Sequence, residues 1–220
     1  MGTRINSKNG TDEWYTDAGE LSVILQAAGI PKFGGDPCSP ISGPTVPAAW
    51  YLTKAENGLS HPWNATDPVW MNPPYSQKKA WLKKAEEEVE AGRCPAVLGL
   101  LPASTEQTFY HETVMRWPHF ISLGRLRFFG PVCPGGGKTS TGSVLIVFSR
   151  DEDFVERFRR GLQGSRWAFC GYPPDFGRVP EPPGLDPRKL LAELGRRLPD
   201  SGNRAAMMEM IESVLACRAG

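Results

Sequence analysis

The chain has 220 residues, enough for one domain with a good core. Lys and Arg total 25 against 24 Asp and Glu, so any surface that binds nucleic acid must be local. No apolar run approaches the roughly 18 residues of a membrane span. The start, "MGTRINSKNGTDEW", lacks the apolar core of a signal peptide. We therefore expect a cytoplasmic protein with no membrane segment.

The cysteines and histidines form no pattern of ligands or bridges. The 5 cysteines are odd in number and far apart, without a CxxC pair, and the 3 histidines show no ligand spacing. We therefore expect neither a disulfide framework nor a metal site.

Helices and strands alternate along the first half of the chain. Helices are predicted for "ELSVILQAAGI" (20–30), for "SQKKAWLKKAEEEVEAGR" with Ser76 as N-cap, and around 106–116. Strands are predicted for "KFGGDPC", ending at Asp36, for "VWM" (69–71), and for the apolar run 96–101. This alternation predicts an α/β fold with a doubly wound, mostly parallel sheet.

Two further strand-like runs, "FISLGRLRFF" and "GSVLIVFS", are joined by a glycine-rich segment. They predict an antiparallel pair that closes one edge of the sheet. The joining segment contains "GGGKTS" (135–140), which ends like a P-loop. Val132 stands where that pattern requires glycine, and no helix follows. We therefore expect a mobile loop there and no ATP site.

The tail differs in composition from the rest of the chain. "GYPPDFGRVPEPPGLDP" (171–187) holds 6 prolines, which predicts an extended connection. Two short helical patterns follow and suit a helical hairpin. The hairpin either packs on the domain or pairs with a second subunit as a homodimer. We place the domain boundary between 1–176 and 177–220.

The stretch "VWMNPPYS" ends an apolar strand with a stiff, polar turn. Two prolines cannot donate to a sheet ladder, so they end the strand; an ordinary surface turn is the alternative. The Asn72 side-chain oxygen and the Pro73 carbonyl offer two acceptors to an amino group with two hydrogens. The Tyr75 ring can stack on a planar base, worth roughly 1–3 kcal/mol. We therefore predict that the catalytic turn consists of Asn72, Pro73, Pro74 and Tyr75.

"NPPY" after an apolar strand resembles motif IV of the amino-methyltransferases. Together with "DEWYT", "DPCSP", "ENGL", "LLPAST" and "GRLRF", in this order over about residues 12 to 150, the chain resembles the small phage-type DNA N6-adenine methyltransferases. The resemblance implies a class I methyltransferase sheet and S-adenosylmethionine as the methyl donor. It also implies double-stranded DNA as substrate, with the target adenine flipped out, and no metal. The cytoplasm would be that of a bacterial host if a phage encodes the chain.

The resemblance also implies a set of cofactor-binding residues. A threonine before the first helix helps to hold the methionine carboxylate, an aspartate lies near the methionine amino group, and an acid binds the ribose or adenine. The matching residues are Tyr15, Thr16, Asp36, Pro37, Cys38, Glu56, Asn57 and Leu59. The chain departs from the family pattern at Asp17, commonly Pro, and at Pro40, where Gly is expected. The alternative is that Asp36 caps a turn and "ENG" only turns the chain.

The charge pattern suggests where DNA is held. From Thr113 to Arg150 there is no acid. At the start of the predicted helix after the turn, lysines oppose the helix dipole, which suggests phosphate contact. The predicted DNA-binding residues are Lys78, Lys79, Arg116, Arg125, Arg127 and Lys138. A merely solvated surface and intrahelical Lys–Glu pairs are the alternatives.

Two other functions stay open beside DNA adenine methylation. The same fold can act on a protein glutamine or on RNA, and a relic without activity could still bind nucleic acid. The presence of both Asn72 and Tyr75 favours catalysis, and the order of the motifs favours DNA.

Overall fold

The computed structural model describes residues 4–5, 14–131 and 133–170, and the structural statements below concern these residues. The proline-rich connection, the helical hairpin and the boundary at residue 176 lie outside them. The strands are β1 (Arg4–Ile5), β2 (Tyr15–Thr16), β3 (Asp36–Ser39), β4 (Tyr51–Thr53), β5 (Val69–Met71), β6 (Val97–Pro102), β7 (His119–Ser122), β8 (Arg127–Gly130), β9 (Cys133–Thr139), β10 (Ser143–Phe148) and β11 (Trp167–Phe169). The helices are α1 (Ala18–Ala28), α2 (Lys78–Glu90), α3 (Thr108–Glu112) and α4 (Glu152–Gly161).

The central sheet has five strands in the order β11-β7-β10-β6-β5. β5 and β6 are parallel, whereas β10 is antiparallel to both β6 and β7. β7 therefore runs in the same direction as β5 and β6, and the carboxyl ends of all three strands share one edge. We call this edge the carboxyl edge. The buried strand predicted over 96–101 is confirmed as β6.

A smaller parallel pair, β3 with β4, lies beside β5. A parallel bridge joins Gly35 to Val69, and the Trp70 N–H donates to the Gly35 carbonyl at 2.9 Å. The prediction that the strand ends at Asp36 was wrong, because β3 begins there. The segment before it approaches its neighbours too closely for side chains, since a Cβ on Gly35 would lie 2.1 Å from the Trp50 ring.

The predicted antiparallel pair exists as β7 and β10, but it does not close an edge. β10 lies between β6 and β7, and the edge strand is β11. All six residues of β10 are buried. A run that is buried on both faces belongs in the interior of a sheet, which explains the central position.

A second sheet has the order β1-β9-β8-β2. The glycine-rich segment that we predicted as a loop forms strand β9 instead, antiparallel to β8. This strand requires glycine at Gly136, because a Cβ there would lie 2.7 Å from Phe129 Cε1. Its φ of +74° also favours glycine. β2 pairs with β8 and brings Tyr15 and Thr16 into the sheet.

The helices follow the predicted pattern with shifted ends. α1 begins after Asp17, whose carboxylate accepts from the Gly19 N–H, and ends at Gly29 in a left-handed conformation. The prediction of Ser76 as N-cap was wrong: Tyr75–Gln77 forms a 3₁₀ turn, and α2 begins at Lys78 with Gln77 in the N-cap position. The helical stretch around 106–116 consists of α3 and a 3₁₀ turn, Val114–Arg116.

Alternate residues of β10 belong to two separate core clusters. Leu145 and Val147 belong to the cluster that contains α1 and α4 residues, whereas Val144, Ile146 and Phe148 belong to the cluster that contains α2 and α3 residues. Because successive side chains of a strand point to opposite faces, helices cover both faces of the central sheet. The α/β class is thus confirmed, with sheets of mixed strand direction. None of the helices in the described ranges is long and apolar enough to cross a membrane.

Candidate active site

A cavity of about 400 Å³ opens at the carboxyl edge. Its volume falls within the range of about 300–1,000 Å³ that is usual for ligand pockets. It is lined by residues of β2 and β3, of the turns after β4 and β5, and of α2. Among them are the predicted site residues Tyr15, Thr16, Asp36, Pro37, Cys38, Asn57, Asn72 and Pro74. The order of the strands therefore brings together most of the predicted catalytic and cofactor-binding residues.

Asn72 follows β5 directly, and its amide is held from one side. Nδ2 donates to the Trp14 carbonyl at 2.7 Å and lies 3.4 Å from Thr16 Oγ1. Oδ1 accepts from the Tyr75 hydroxyl at 3.5 Å, which is long for a hydrogen bond. The short bond to Trp14 fixes the amide orientation, so Oδ1 keeps capacity as an acceptor. Sequence reasoning missed Trp14, because a backbone carbonyl leaves no signal in residue identity.

The two prolines and the tyrosine give the turn its shape. Pro73 is buried, Pro74 and Tyr75 are half-buried, and the Pro74 carbonyl accepts from the Gln77 N–H at 3.1 Å. Proline at both positions restricts the backbone dihedrals, so the turn is stiff. Asn72 and Pro74 line the cavity.

Asp36 is the buried acid of the cavity, with 2% of its surface exposed. Burial raises its pKa to about 7, and the Cys38 N–H, which donates to Oδ1 at 3.0 Å, lowers it in part. The hydrogen bond to Cys38 is the local one that a capping role would give, yet Asp36 is also one of the residues that line the cavity. A carboxyl group with a pKa near 7 gains strongly from a cationic ligand.

Unlike Asp36, two other cavity residues have a buried polar group that forms no hydrogen bond with the described residues. Ser39 Oγ and Trp81 Nε1 have no hydrogen-bond partner among the described residues. Trp81 stacks on Trp63, with ring centroids 6.1 Å apart. Sequence reasoning missed both residues. An indole N–H within the apolar stripe of α2 was an available signal, because a buried Trp usually has a partner for that donor.

The "ENGL" block forms the turn after β4. The Glu56 carboxylate accepts from the Thr53 N–H at 2.8 Å and from the Thr53 hydroxyl, and these bonds lower its pKa. Thr53 and Asn57 line the cavity, whereas the exposed Glu56 side chain is not among the lining residues. Leu59 packs against the core cluster of α2. The role of Glu56 in cofactor binding stays a prediction.

Tyr15 and Thr16 enter the site through β2. Thr16 is buried, and the Tyr15 hydroxyl lies 3.1 Å from Ser42 Oγ. Asp17, at the position where the family commonly has Pro, accepts from the Gly19 N–H at 2.8 Å. The carboxylate of Asp17 thus already binds one of the free amides at the start of α1.

The lysines of α2 divide into two groups. Lys83 pairs with Glu87 at 3.6 Å and Lys84 with the fully buried Glu88 at 2.6 Å, so intrahelical pairs account for these two. Lys78 Nζ lies 5.0 Å from the centre of the Phe109 ring. Lys79 pairs with Glu112 at 3.9 Å, and Arg116 donates to the Glu112 carbonyl at 3.5 Å.

Arg127 and Lys138 form a cross-strand pair of like charges on the second sheet. Phe129 lies two residues after Arg127 and pairs with Tyr15. Residues that are paired or two apart share one face of a sheet. Arg127, Lys138 and Phe129 therefore share the face of Tyr15, and Tyr15 is one of the residues that line the cavity. Like charges directly opposite each other are unfavourable, and an anion bound to this face would relieve that cost.

Two of the described thiols, Cys38 and Cys94, have raised pKa values. Cys94 is buried, and burial raises its pKa to about 12; burial and the nearby Asp36 also raise the pKa of the half-buried Cys38. Within the described ranges, no three His, Cys, Asp or Glu side chains are grouped as a metal site requires.

An acceptor amide beside a ligand-sized cavity, at the carboxyl edge of an α/β sheet, is an arrangement suited to an enzyme that acts on an amino group. The model of the family described as DNA N-6-adenine-methyltransferase (Dam) matches residues 5–154. The match covers more than half of the chain, and the protein belongs to this family of DNA methyltransferases. The resemblance predicted from the six sequence blocks is thus confirmed at the level of the family. Comparisons with curated proteins and with solved structures gave no match.

Proposed function

We propose that the protein transfers a methyl group from S-adenosylmethionine to the N6 amine of an adenine flipped out of double-stranded DNA. The observation that carries this proposal is the orientation of Asn72. Its Nδ2 is bound to the Trp14 carbonyl, which leaves Oδ1 as an acceptor for an amine at the cavity. Membership of the Dam family supports DNA as the substrate and adenine N6 as the target. Such an enzyme works in the cytoplasm, where the DNA is.

The strand order supports a class I methyltransferase arrangement. With the bridge between Gly35 and Val69, the strands follow one another as β4-β3-β5-β6-β10-β7. Of these six, β10 alone runs in the opposite direction. In such a sheet the ligand lies at the carboxyl ends of the strands, and the cavity opens at this edge.

The residues of the cavity fit S-adenosylmethionine. Asp36 provides a buried carboxylate for the methionine ammonium, and the unpartnered Ser39 Oγ and Trp81 Nε1 provide polar groups that a ligand could satisfy. A buried polar atom without a partner costs about 1–3 kcal/mol, so a ligand that supplies one is favoured. When bound, the cofactor supplies a methyl group on a sulfonium centre, which is already strongly electrophilic.

The chain's contribution is to orient the amine. Asn72 Oδ1 and the Pro73 carbonyl accept the two hydrogens of N6, which draws electron density toward nitrogen and aims its lone pair at the methyl group. The Tyr75 ring stacks on the adenine. Orientation of this kind can supply about 7–11 kcal/mol of the barrier, so no strong base is required. After transfer the methylated N6 releases one proton to water, and Asn72 Oδ1 serves only as the hydrogen-bond acceptor that orients the amine.

The DNA backbone is held on the face that Arg127 and Lys138 share with Tyr15. The shared face, the exposure of both cations and their unfavourable proximity support a phosphate contact there. Arg125 is exposed beside it. Lys78, Lys79 and Arg116 form a second basic group around α3 and contact DNA next to the catalytic turn.

Labelled S-adenosylmethionine tests the proposal against its alternatives. The protein is incubated with unmethylated DNA, with RNA and with a protein extract, and the modified residue is identified. We expect label in N6-methyladenine of DNA. Label in glutamine or RNA would assign the alternative substrate, and cofactor binding without transfer to any of them would indicate the relic.

A further inference from the structure

The turn between β7 and β8 holds Leu123 out in solvent. Leu123 is 64% exposed, and within the described residues only Ile41 is as exposed among large apolar side chains. Ile41 follows Pro40 in the loop that borders the cofactor cavity. A single exposed leucine is ordinary on its own. Its position, its rigid support and the charges beside it suggest a function.

Leu123 shares the carboxyl edge with Asn72. β7 runs in the direction of β5, so Leu123 follows the end of β7 as Asn72 follows the end of β5. Three strand spacings separate the two strands, roughly 14 Å. The major groove of DNA is about 12 Å wide. A duplex whose target base reaches Asn72 therefore lies within reach of Leu123.

The turn is braced by three hydrogen bonds. Ser122 Oγ donates to the Gly124 carbonyl at 2.8 Å and accepts from the Ser143 N–H at 3.0 Å. The Leu123 N–H donates to the Arg166 carbonyl at 2.7 Å. Gly124 has φ of +88°, which favours glycine and closes the turn tightly. Leu123 is thus presented on a firm backbone.

Unpaired cations follow Leu123 in the chain. Arg125 and Arg127 are exposed, and no carboxylate in the described part of the chain forms an ion pair with them. An apolar tip followed by free arginines suits a segment that enters a duplex while its flanks bind phosphates.

We propose that Leu123 is the wedge that enters the duplex beside the target adenine and fills the space that the flipped base leaves. This inference rests on the proposed function. Proteins that distort DNA insert apolar side chains, leucine included, between base steps. Leu123 thereby stabilises the flipped state, while Arg125 holds the adjacent backbone.

The test compares Leu123→Ala and Leu123→Met with Met115→Ala as the control. Met115 is 44% exposed and precedes the other end of β7. Each full-length protein is given PCR-amplified DNA, which carries no methyl groups, as a duplex and after heat denaturation. Methyl incorporation is measured, and permanganate oxidation of thymines in the complex reports thymines whose adenine partner has left.

We expect Leu123→Ala to lower incorporation into duplex about tenfold and to remove the permanganate-reactive thymines, because the flipped state loses its support. Leu123→Met and Met115→Ala stay within about twofold of the original, since methionine retains an apolar tip. Calorimetric titration shows unchanged affinity for S-adenosylmethionine in all variants.

An unchanged permanganate pattern for Leu123→Ala would overturn the wedge. So would equal losses of incorporation on duplex and denatured DNA, because a wedge acts on the duplex alone. If the original protein methylates no DNA, the proposed function is overturned instead. The permanganate pattern would still decide the role of Leu123.

Discussion

The turns at Asn72 and Glu56 occupy similar places in the fold but differ in how their polar groups are held. Both follow short strands and border one cavity. The Asn72 amide is fixed by the Trp14 carbonyl, 58 residues away, whereas Glu56 is bound by Thr53, three residues away in its own turn. The distant bond orients Asn72 and leaves an acceptor open. The local bonds engage the Glu56 carboxylate within its own turn. We therefore expect Asn72 to contact a reactant and Glu56 to shape the turn.

The largest effect on activity is expected when the Asn72 amide is removed. Asn72→Ala lowers kcat about 10²–10³-fold, because the amine loses an oriented acceptor. Affinity for S-adenosylmethionine, measured by calorimetric titration, stays within a few-fold. Asn64→Ala, at an exposed asparagine, serves as the matched control and retains full activity. Turnover near normal in the Asn72 variant would remove it from the catalytic turn.

The pKa of Asp36 gives cofactor binding a pH dependence. Its pKa is raised from 3.8 to about 7, so the carboxyl group is neutral below that pH and ionised above it. A cationic ammonium binds to the ionised form. We expect affinity to fall about tenfold per unit as the pH drops below 7, and to fall again above about pH 8, where an α-amino group loses its charge. Asp36→Asn should bind weakly and should lose the fall on the acidic side. A flat profile in the original protein would place the ammonium elsewhere.

The second sheet contributes a salt dependence. Arg127→Ala and Lys138→Ala should each reduce the log–log slope of DNA affinity against salt by about one, since each phosphate contact releases about one counterion. Filter-binding titrations at several salt concentrations measure the slope. Arg157→Ala, at an exposed cation of α4, provides the control and should leave it unchanged. Slopes equal to the original would make both residues structural.

The smallest expected effect comes from Glu56. Glu56→Gln keeps the shape of the side chain and one acceptor for Thr53. Cofactor affinity should therefore fall by no more than about threefold, which corresponds to part of the net free energy of one hydrogen bond. Calorimetric titration of the variant and of the original protein with S-adenosylmethionine measures the difference in affinity. A loss above tenfold would mean that the carboxylate contacts the cofactor, and the contrast with Asn72 would disappear.

The sequence predicted the parts of the fold that depend on near neighbours. β5, β6, α1 and α2 follow from apolar periodicity, and the turn at Asn72 follows from proline chemistry. The second sheet was missed because glycine-rich β9 reads as a loop until Phe129 and Arg127 are seen packed across it. The central place of β10 and the bond from Asn72 to Trp14 depend on pairings between distant residues. Neither leaves a local pattern.

The insertion of β10 between β6 and β7 sets the order in which a growing chain can finish its sheet. Until residue 148 has been synthesised, β6 lacks a partner on one side and β7 lacks one on both, because its other neighbour, β11, is synthesised later still. Both strands are largely buried in the finished sheet. At about 5–20 residues per second, the delay after β7 is complete lasts only seconds. During that time the nascent chain exposes the open edges of both strands, which are sites of aggregation. If the ribosome stalls between residues 123 and 143, the nascent chain remains in this state with its strand edges open.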